Sequence, residues 1–209
     1  MSDSLITKKA IAASIKDLMR KKALQKISVA DIVENCGINR QTFYYHFKDK
    51  YDLVNWIYYN EIVTAVKRNR TIEDWSGVVL DILNGMKRER SFYINALSVT
   101  GQNAFQEYFF DVTKGILLAV IDALDIQGPI SEEDKNFIAE FYAYGLVGVT
   151  VQWARRGMKL PPEDMVNRLS YWIDNISNLD SLFNFRDPVR RKAVSDSVDR
   201  LKNEFSDTY

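Results

Sequence analysis

The sequence predicts an all-α protein, with a small N-terminal head followed by a larger helical body. Three observations carry that prediction. Apolar residues recur at three- and four-residue spacing along most of the chain, no segment alternates convincingly as a strand would, and Gly and Pro number only 9 and 4 in 209 residues. At 46% hydrophobic and 27% charged, the chain is long and apolar enough to bury a sizeable core. Net charge is zero, yet its distribution is uneven. Residues 1–70 hold thirteen Lys and Arg against seven Asp and Glu, a balance of +6, so the remainder carries −6. Such asymmetry points to a basic head that meets a polyanion and an acidic body that does not.

The first helix is expected over Leu5 to Ala23. Ile6, Ala10, Ala13, Ile15, Leu18 and Met19 form its apolar stripe, and Lys8, Lys9 and Lys16 its opposite face, either solvated or touching phosphates. A denser pattern follows. Ser28 is an N-cap candidate with Asp31 three residues later to complete a capping box, and Ile27 and Ile32 have the spacing of a hydrophobic staple. Val29, Ile32, Val33 and Cys36 give that helix one apolar face, and Gly37 ends it in the left-handed conformation that glycine adopts freely. Asn39 caps the next helix, whose Phe43 and Phe47 lie one turn apart and point inward. Arg40, Gln41, Thr42, Tyr44, Tyr45 and His46 are left outward, a hydrogen-bonding surface on an apolar spine. Asp49 with Asp52 repeats the capping logic and opens a long helix to about Arg68, with Lys50 in its first turn. Two capped helices around a glycine turn make a helix-turn-helix, whose second helix enters the DNA major groove.

The run from Gly37 to Lys50, GINRQTFYYHFKDK, followed by Asp52-Leu53, resembles the DNA-binding signature of the TetR family of bacterial regulators. The fuller string RQTFYYHFKDKYDLVNWI is similar to the subgroup that includes dihydroxyacetone kinase operon regulators. The resemblance implies a homodimeric regulator; the alternative is an all-helical interaction protein whose motif no longer binds DNA. Such a regulator reads a near-palindromic double-stranded operator with two recognition helices. Ser28, Arg40, Gln41, Thr42, Tyr44, Tyr45, His46 and Lys50 are then the DNA-binding candidates. Lys50 and Tyr45 are expected to hold phosphates, and Arg40, Gln41, Thr42 and Tyr44 to meet base edges or nearby backbone. Gln41 departs from the Gly or Ala of many members; a longer amide there could read an adenine edge.

Thr71-Ile72-Glu73-Asp74 breaks the helical pattern. The expected division is a head over 1–48, a connecting helix over 49–70, a regulatory and dimerisation domain over 71–185, and a C-terminal extension over 186–209. In the body, helices are expected around Trp75 to Met86, Phe92 to Leu97 and Phe105 to Leu124, the last with Phe109, Val112, Ile116, Leu117, Val120 and Leu124 inside. Ser131 caps a strong helix that has Glu132, Glu133 and Asp134 at its positive end and Arg155-Arg156 before Gly157 at its negative end. Pro161-Pro162 starts another, through Met165, Leu169, Trp172, Ile173 and Ile176. Val194, Val198, Leu201 and Phe205 have the spacing of a terminal amphipathic helix, docked or frayed.

Gly145 and Gly148 weaken their helix by about 1 kcal/mol each relative to alanine, so a close approach of another helix should offset them. In TetR-like bodies the last two core helices pair with their counterparts in a second subunit. By that likeness Gly145, Gly148, Val149, Gln152, Trp153, Leu169, Trp172, Ile173 and Ile176 form a dimer interface; tight packing within one subunit is the alternative. Phe92, Phe105, Tyr108, Phe109 and Tyr142 could line a pocket for a small-molecule effector, as the family implies, or be simple core. The long helix from Asp49 is the natural lever between effector and head. In the subgroup, the signal can instead come from a kinase-like protein co-regulator that makes the regulator an activator.

Enzymatic chemistry has little support. His46 is the sole histidine and falls on the recognition helix, and no Ser-His-Asp, Cys-His or Gly-rich phosphate loop can be assembled. One His and one Cys suit zinc or copper poorly, so no catalytic residue, metal or cofactor is expected. Cys36 cannot form an intrachain disulfide and reads as a small buried hydrophobe in a reducing cytoplasm. The N-terminus is no signal peptide and no apolar run approaches membrane-spanning length, so no membrane partner is expected.

Overall fold

The computed structural model describes residues 3–71, 74–101, 105–123 and 131–174, with the backbone alone at 3 and at 172–174. Its described elements are helical, with no strand among them. Helix α1 (Asp3–Met19), a 3-10 turn (Leu24–Lys26), α2 (Val29–Cys36) and α3 (Arg40–His46) pack as the head. Ile11, Ile15, Leu24, Ile27, Ile32, Phe43 and Phe47 fill its core. Each start and stop has a local cause. Ser28 and Asp31 form the reciprocal capping box at α2, Gly37 closes α2 at φ 69°, and Asn39 caps α3.

The face that α1 buries differs from the expected stripe. Ile11, Ala12, Ile15 and Met19 are buried with Ser14, whereas Ile6, Ala10 and Ala13 are exposed. Alanine marks neither face on its own, so Ala12 rather than Ala10 or Ala13 lies on the buried side. Ser14 sits in that interface because its hydroxyl donates to the Ile32 carbonyl (2.8 Å) while accepting from Asn35 Nδ2 (3.1 Å). The lysines of α1 also do more than face solvent. Lys8 stands over the rings of Phe47 and Trp56, 5.6 and 5.8 Å from their centroids. Lys16 turns toward the body and pairs with Glu61 and with Glu89.

The expected long helix is present but not uniform. It runs as α4 (Lys50–Tyr58), a π turn (Tyr59–Val63) and α5 (Thr64–Asn69). Thr64 makes the wide turn favourable, since its backbone N–H and its hydroxyl both donate to the Tyr59 carbonyl five residues back. α6 (Trp75–Arg88) approaches this turn closely at Gly85, where a Cβ would lie 2.8 Å from the Ile62 side chain. α7 (Arg90–Ser98) and α8 (Phe105–Ala123) complete the aromatic core with α4.

α8 packs along α9 (Glu132–Arg155). Phe105 and Phe109 of α8 are buried, but Val112, Ile116, Leu117 and Val120, expected inside, are only partly covered in the single chain. α9 is capped by Ser131, whose Oγ accepts the Asp134 N–H (3.0 Å), and three acidic residues occupy its first turn. Its C-terminus closes at Gly157 (φ 73°), with the Met158 N–H on the Trp153 carbonyl (2.8 Å). α10 (Pro162–Asp174) follows. The described residues up to Val166 form one compact unit, and the last residues of α10 fall outside it. Ile176 and the segment with Val194, Val198, Leu201 and Phe205 lie outside the described residues.

Candidate nucleic-acid interface

Phe43 and Phe47 anchor α3 from below; both are buried, and Phe47 meets Trp56 of α4 edge-on at 5.7 Å. With that face fixed, Arg40, Gln41, Tyr44 and Tyr45 are exposed, and Thr42 and His46 are half-covered. Tyr45 is 82% exposed and Tyr44 57%, which is far outside the range a folded core tolerates for rings of that size. Tyr45 is braced edge-on by His46 (4.9 Å), and Tyr44 by Phe43 (5.5 Å). The result is a short helix presenting a guanidinium, an amide and two phenols on a rigid base. Those groups can donate to phosphates and to base edges.

The structure places the expected DNA-binding residues in the head, apart from Lys50 in the first turn of α4, and gives three of them prior partners. Ser28 Oγ accepts the Asp31 N–H (3.1 Å) and donates to Asp31 Oδ2 (2.7 Å). The same carboxylate accepts the Ser28 N–H (2.7 Å), and these two bonds from Ser28 hold Asp31 below the ordinary carboxylate pKa. Thr42 donates both its N–H (2.7 Å) and its hydroxyl (2.9 Å) to Asn39 Oδ1, so the hydroxyl serves the cap before any ligand. Lys50 takes a place other than the one expected of it. Its ammonium donates to the carbonyls of Leu24 (2.8 Å), Gln25 (3.1 Å) and Ile27 (2.7 Å). All three of its protons are thereby directed at backbone, and desolvation draws its pKa below the usual lysine value.

Asp49 and Asp52 divide the cap of α4 differently from a capping box. Asp49 Oδ1 accepts from the N–H groups of Tyr51 (2.8 Å) and Asp52 (2.9 Å), and Asp52 Oδ2 accepts from Lys48 (2.9 Å). A residue that sequence reasoning missed is Asn95, whose side chain bonds back to the head from α7. Periodicity carries no signal for it, because Asn95 is half-buried and lies off the face of α7 that buries Phe92, Tyr93, Ala96 and Leu97.

On the body, the residues proposed for a pocket separate. Phe92, Phe105 and Phe109 are buried, and Tyr58 receives the rings of Tyr93, Phe105, Tyr108 and Phe109 edge-on at 5.3–6.4 Å. Phe92, Phe105 and Phe109 are thus close-packed core, and Tyr108 is a half-buried ring against Tyr58. Tyr142 is apart, against Phe141 on α9. Of the interface candidates, Trp153 belongs to the subunit's own core: it is buried and its Nε1 donates to the Leu160 carbonyl (2.8 Å). Gly145, Gly148, Val149 and Gln152 are exposed instead. A Cβ at Gly145 or Gly148 would meet nothing within 4 Å among the described residues, so packing among those residues does not account for either glycine. Phe137, Phe141 and Tyr144 lie exposed on the same helix at four- and three-residue spacing. Beside them is an open groove of about 720 Å³, lined by Gln106, Phe110, Tyr144, Gly148, Gln152 and Arg155. Leu169 on α10 is partly covered.

Residues 11–57 match the family described as bacterial regulatory proteins, tetR family, and residues 73–175 match a transcriptional regulator C-terminal region. The chain is 31% identical over 162 residues, 77% of its length and 86% of the relative's, to the HTH-type dhaKLM operon transcriptional activator DhaS of Lactococcus lactis subsp. lactis (strain IL1403). It belongs to the TetR family. A solved structure titled dihydroxyacetone kinase operon activator DhaS superposes with a TM-score of 0.61 at 27% identity, covering 80% of this chain and 93% of that one. The fold is also that of FadR from Bacillus subtilis, solved in complex with stearoyl-CoA: TM-score 0.55, 15% identity, 78% and 96% coverage. The protein is therefore a TetR-family DNA-binding transcriptional regulator with a helix-turn-helix head and a helical body. Among the described residues no helix is long and apolar enough to cross a membrane.

Proposed function

We propose that this regulator acts in the cytoplasm as a homodimer that reads a near-palindromic operator through a pair of α3 helices, without enzymatic activity of its own. The observation that carries the reading is the pairing of two unlike exposed faces: capped α3 with Arg40, Gln41, Tyr44 and Tyr45 outward, and α9 with Phe137, Phe141 and Tyr144 beside open glycines. The first suits a nucleic acid, with Tyr45 on phosphate and Gln41 and Tyr44 near base edges. The second suits a second copy of the same helix, since a glycine with no neighbour among the described residues leaves room for a partner backbone. Two recognition helices related by a two-fold axis then meet half-sites about one helical turn apart.

An effector acts on the body and changes the relation between the two heads. A partner protein is favoured over a small apolar molecule by two facts. The ring cluster around Tyr58 is already packed, and two of the three relatives named above, both DhaS, are described as operon activators. Selection of duplexes from a random pool by the full-length protein tests the DNA reading; recovery of sequences without two-fold symmetry would overturn it. Thermal unfolding with a metabolite set, and with a co-expressed kinase-like protein, separates the two kinds of effector: a protein partner alone should raise the midpoint.

A further inference from the structure

The linker between α1 and α2 is gripped by side chains from two elements outside the three-helix head. From the body, Asn95 of α7 donates its Nδ2 protons to the Met19 carbonyl (3.1 Å) and the Lys22 carbonyl (2.7 Å), while its Oδ1 accepts the Leu24 N–H (2.8 Å). From the first turn of α4, Lys50 takes the carbonyls of Leu24, Gln25 and Ile27. The two grips meet at Leu24, one on its N–H and one on its C=O. Ile27 immediately precedes Ser28, the cap from which α2 starts.

The arrangement answers a definite need. The last carbonyls of α1 have no helical partner, and a 3-10 turn of only three residues satisfies few of the linker's own groups. Either side chain could have been supplied by the head itself. Instead they come from α7 and α4, so the pose of the linker registers where those two helices stand. α2 is set by the linker, and α3 is set by its packing on α2.

We propose that Asn95 and Lys50 are positioning residues for DNA binding, which jointly fix the α1–α2 linker and through it the stance of α2 and α3 relative to the body. The body thus holds the head directly through α7, in addition to the continuous helix that starts at Lys50. This rests on the reading of α3 as the DNA-facing helix, and the test separates the two claims.

Full-length Lys50→Met and Asn95→Leu, which keep side-chain bulk and remove the polar atoms, are compared with wild type on the duplex that wild type selects from a random pool. Each should weaken binding about tenfold, the scale of a lost charged or multiple hydrogen bond. The double variant should lose little more than either single one, because both act on one segment. The slope of log affinity against log salt should stay at the wild-type value, since no phosphate contact is removed. Amide exchange at Leu24 to Asp31 should quicken in both variants while α9 stays as protected as in wild type. A Lys50→Met slope shallower by about 0.9 per protomer would assign its ammonium to a phosphate and overturn the proposal. So would unchanged exchange at Leu24 to Asp31, or losses that multiply in the double variant. Should Asn95→Leu lose α9 protection as well, Asn95→Asp, which keeps the acceptor for Leu24, replaces it, with the same exchange result required. If wild type selects no duplex, the DNA-facing reading falls, and exchange alone still decides whether the two residues hold the linker.

Discussion

The recognition helix and α9 both expose large aromatic side chains, yet almost everything beneath and beside those rings differs. On α3 the exposed rings are phenols, the helix is seven residues long, and its base is locked by Phe43, Phe47 and the Asn39 cap. On α9 two of the three exposed rings are phenylalanines, the helix is 24 residues long, and two glycines beside them face open space. Exposure alone would class both as sticky patches. The support tells them apart: a rigid, polar-tipped surface fits a hydrated polyanion, and an apolar surface with missing side chains fits a close helix of its own kind.

The largest effect should come from breaking the α9 side. Gly148→Leu should raise the dimer dissociation constant about a hundredfold, a loss comparable to an interface hot spot of about 2–4 kcal/mol, read by sedimentation at graded concentrations. The monomer should not suffer, because nothing among the described residues lies within 4 Å of the new Cβ and leucine favours a helix over glycine by about 1 kcal/mol. A variant that melts lower yet stays dimeric would move the interface elsewhere.

On the α3 side, Gln41→Ala and Tyr44→Ala should each cost about 1–3 kcal/mol on the selected operator and much less on random duplex, measured by competition binding. Equal losses on both would place those side chains on the backbone and make α3 a general anion surface.

A smaller effect separates the caps from the rest. Asp31 has a folded-state pKa below its unfolded one, so its contribution is present above the ordinary carboxylate range and disappears as pH falls through the depressed value. Amide protection of α2 should therefore decline on acidification below about pH 4, and Asp31→Asn should lack that step. A wild-type profile without it would mean that the capping box is not formed in solution.

The smallest change is expected in the ring cluster. The Tyr58 and Tyr93 hydroxyls are buried without a protein hydrogen-bond partner among the described residues, and burial raises both pKa values well above the usual phenol range. Removing such a group leaves nothing unsatisfied, so Tyr58→Phe should change the unfolding free energy by less than about 1 kcal/mol and in the stabilising direction. A clear loss of stability would show that the hydroxyl has a partner the chain does not provide.

The head was legible in the sequence because its determinants are local. Ser28 with Asp31, Gly37, Asn39 and the Phe43–Phe47 spacing each act within a few residues, and each forms the structure its type requires. Faces and partners set by tertiary packing were not legible. Ala10 and Ala12 are equally good helix formers, and only the position of α2 decides which one is buried. Lys50 is expected on phosphate from its place in the TetR-like motif, and no local pattern shows that three linker carbonyls 23 to 26 residues earlier accept its protons. Trp153 sat at the right spacing for the exposed face of α9, but the turn at Gly157–Leu160 folds back to accept its indole N–H. The π turn at Tyr59–Val63 left no mark in periodicity, which a single extra residue shifts without erasing.

The central claim is that two chains, joined along α9, place two α3 helices on one operator. Sedimentation of wild-type protein titrated onto the selected duplex tests it most directly. The account predicts a single complex of two protomers per near-palindromic duplex, and its loss in Gly148→Leu at protein concentrations that saturate wild type. One protomer bound per duplex in wild type, or an unchanged two-protomer complex in Gly148→Leu, would contradict it.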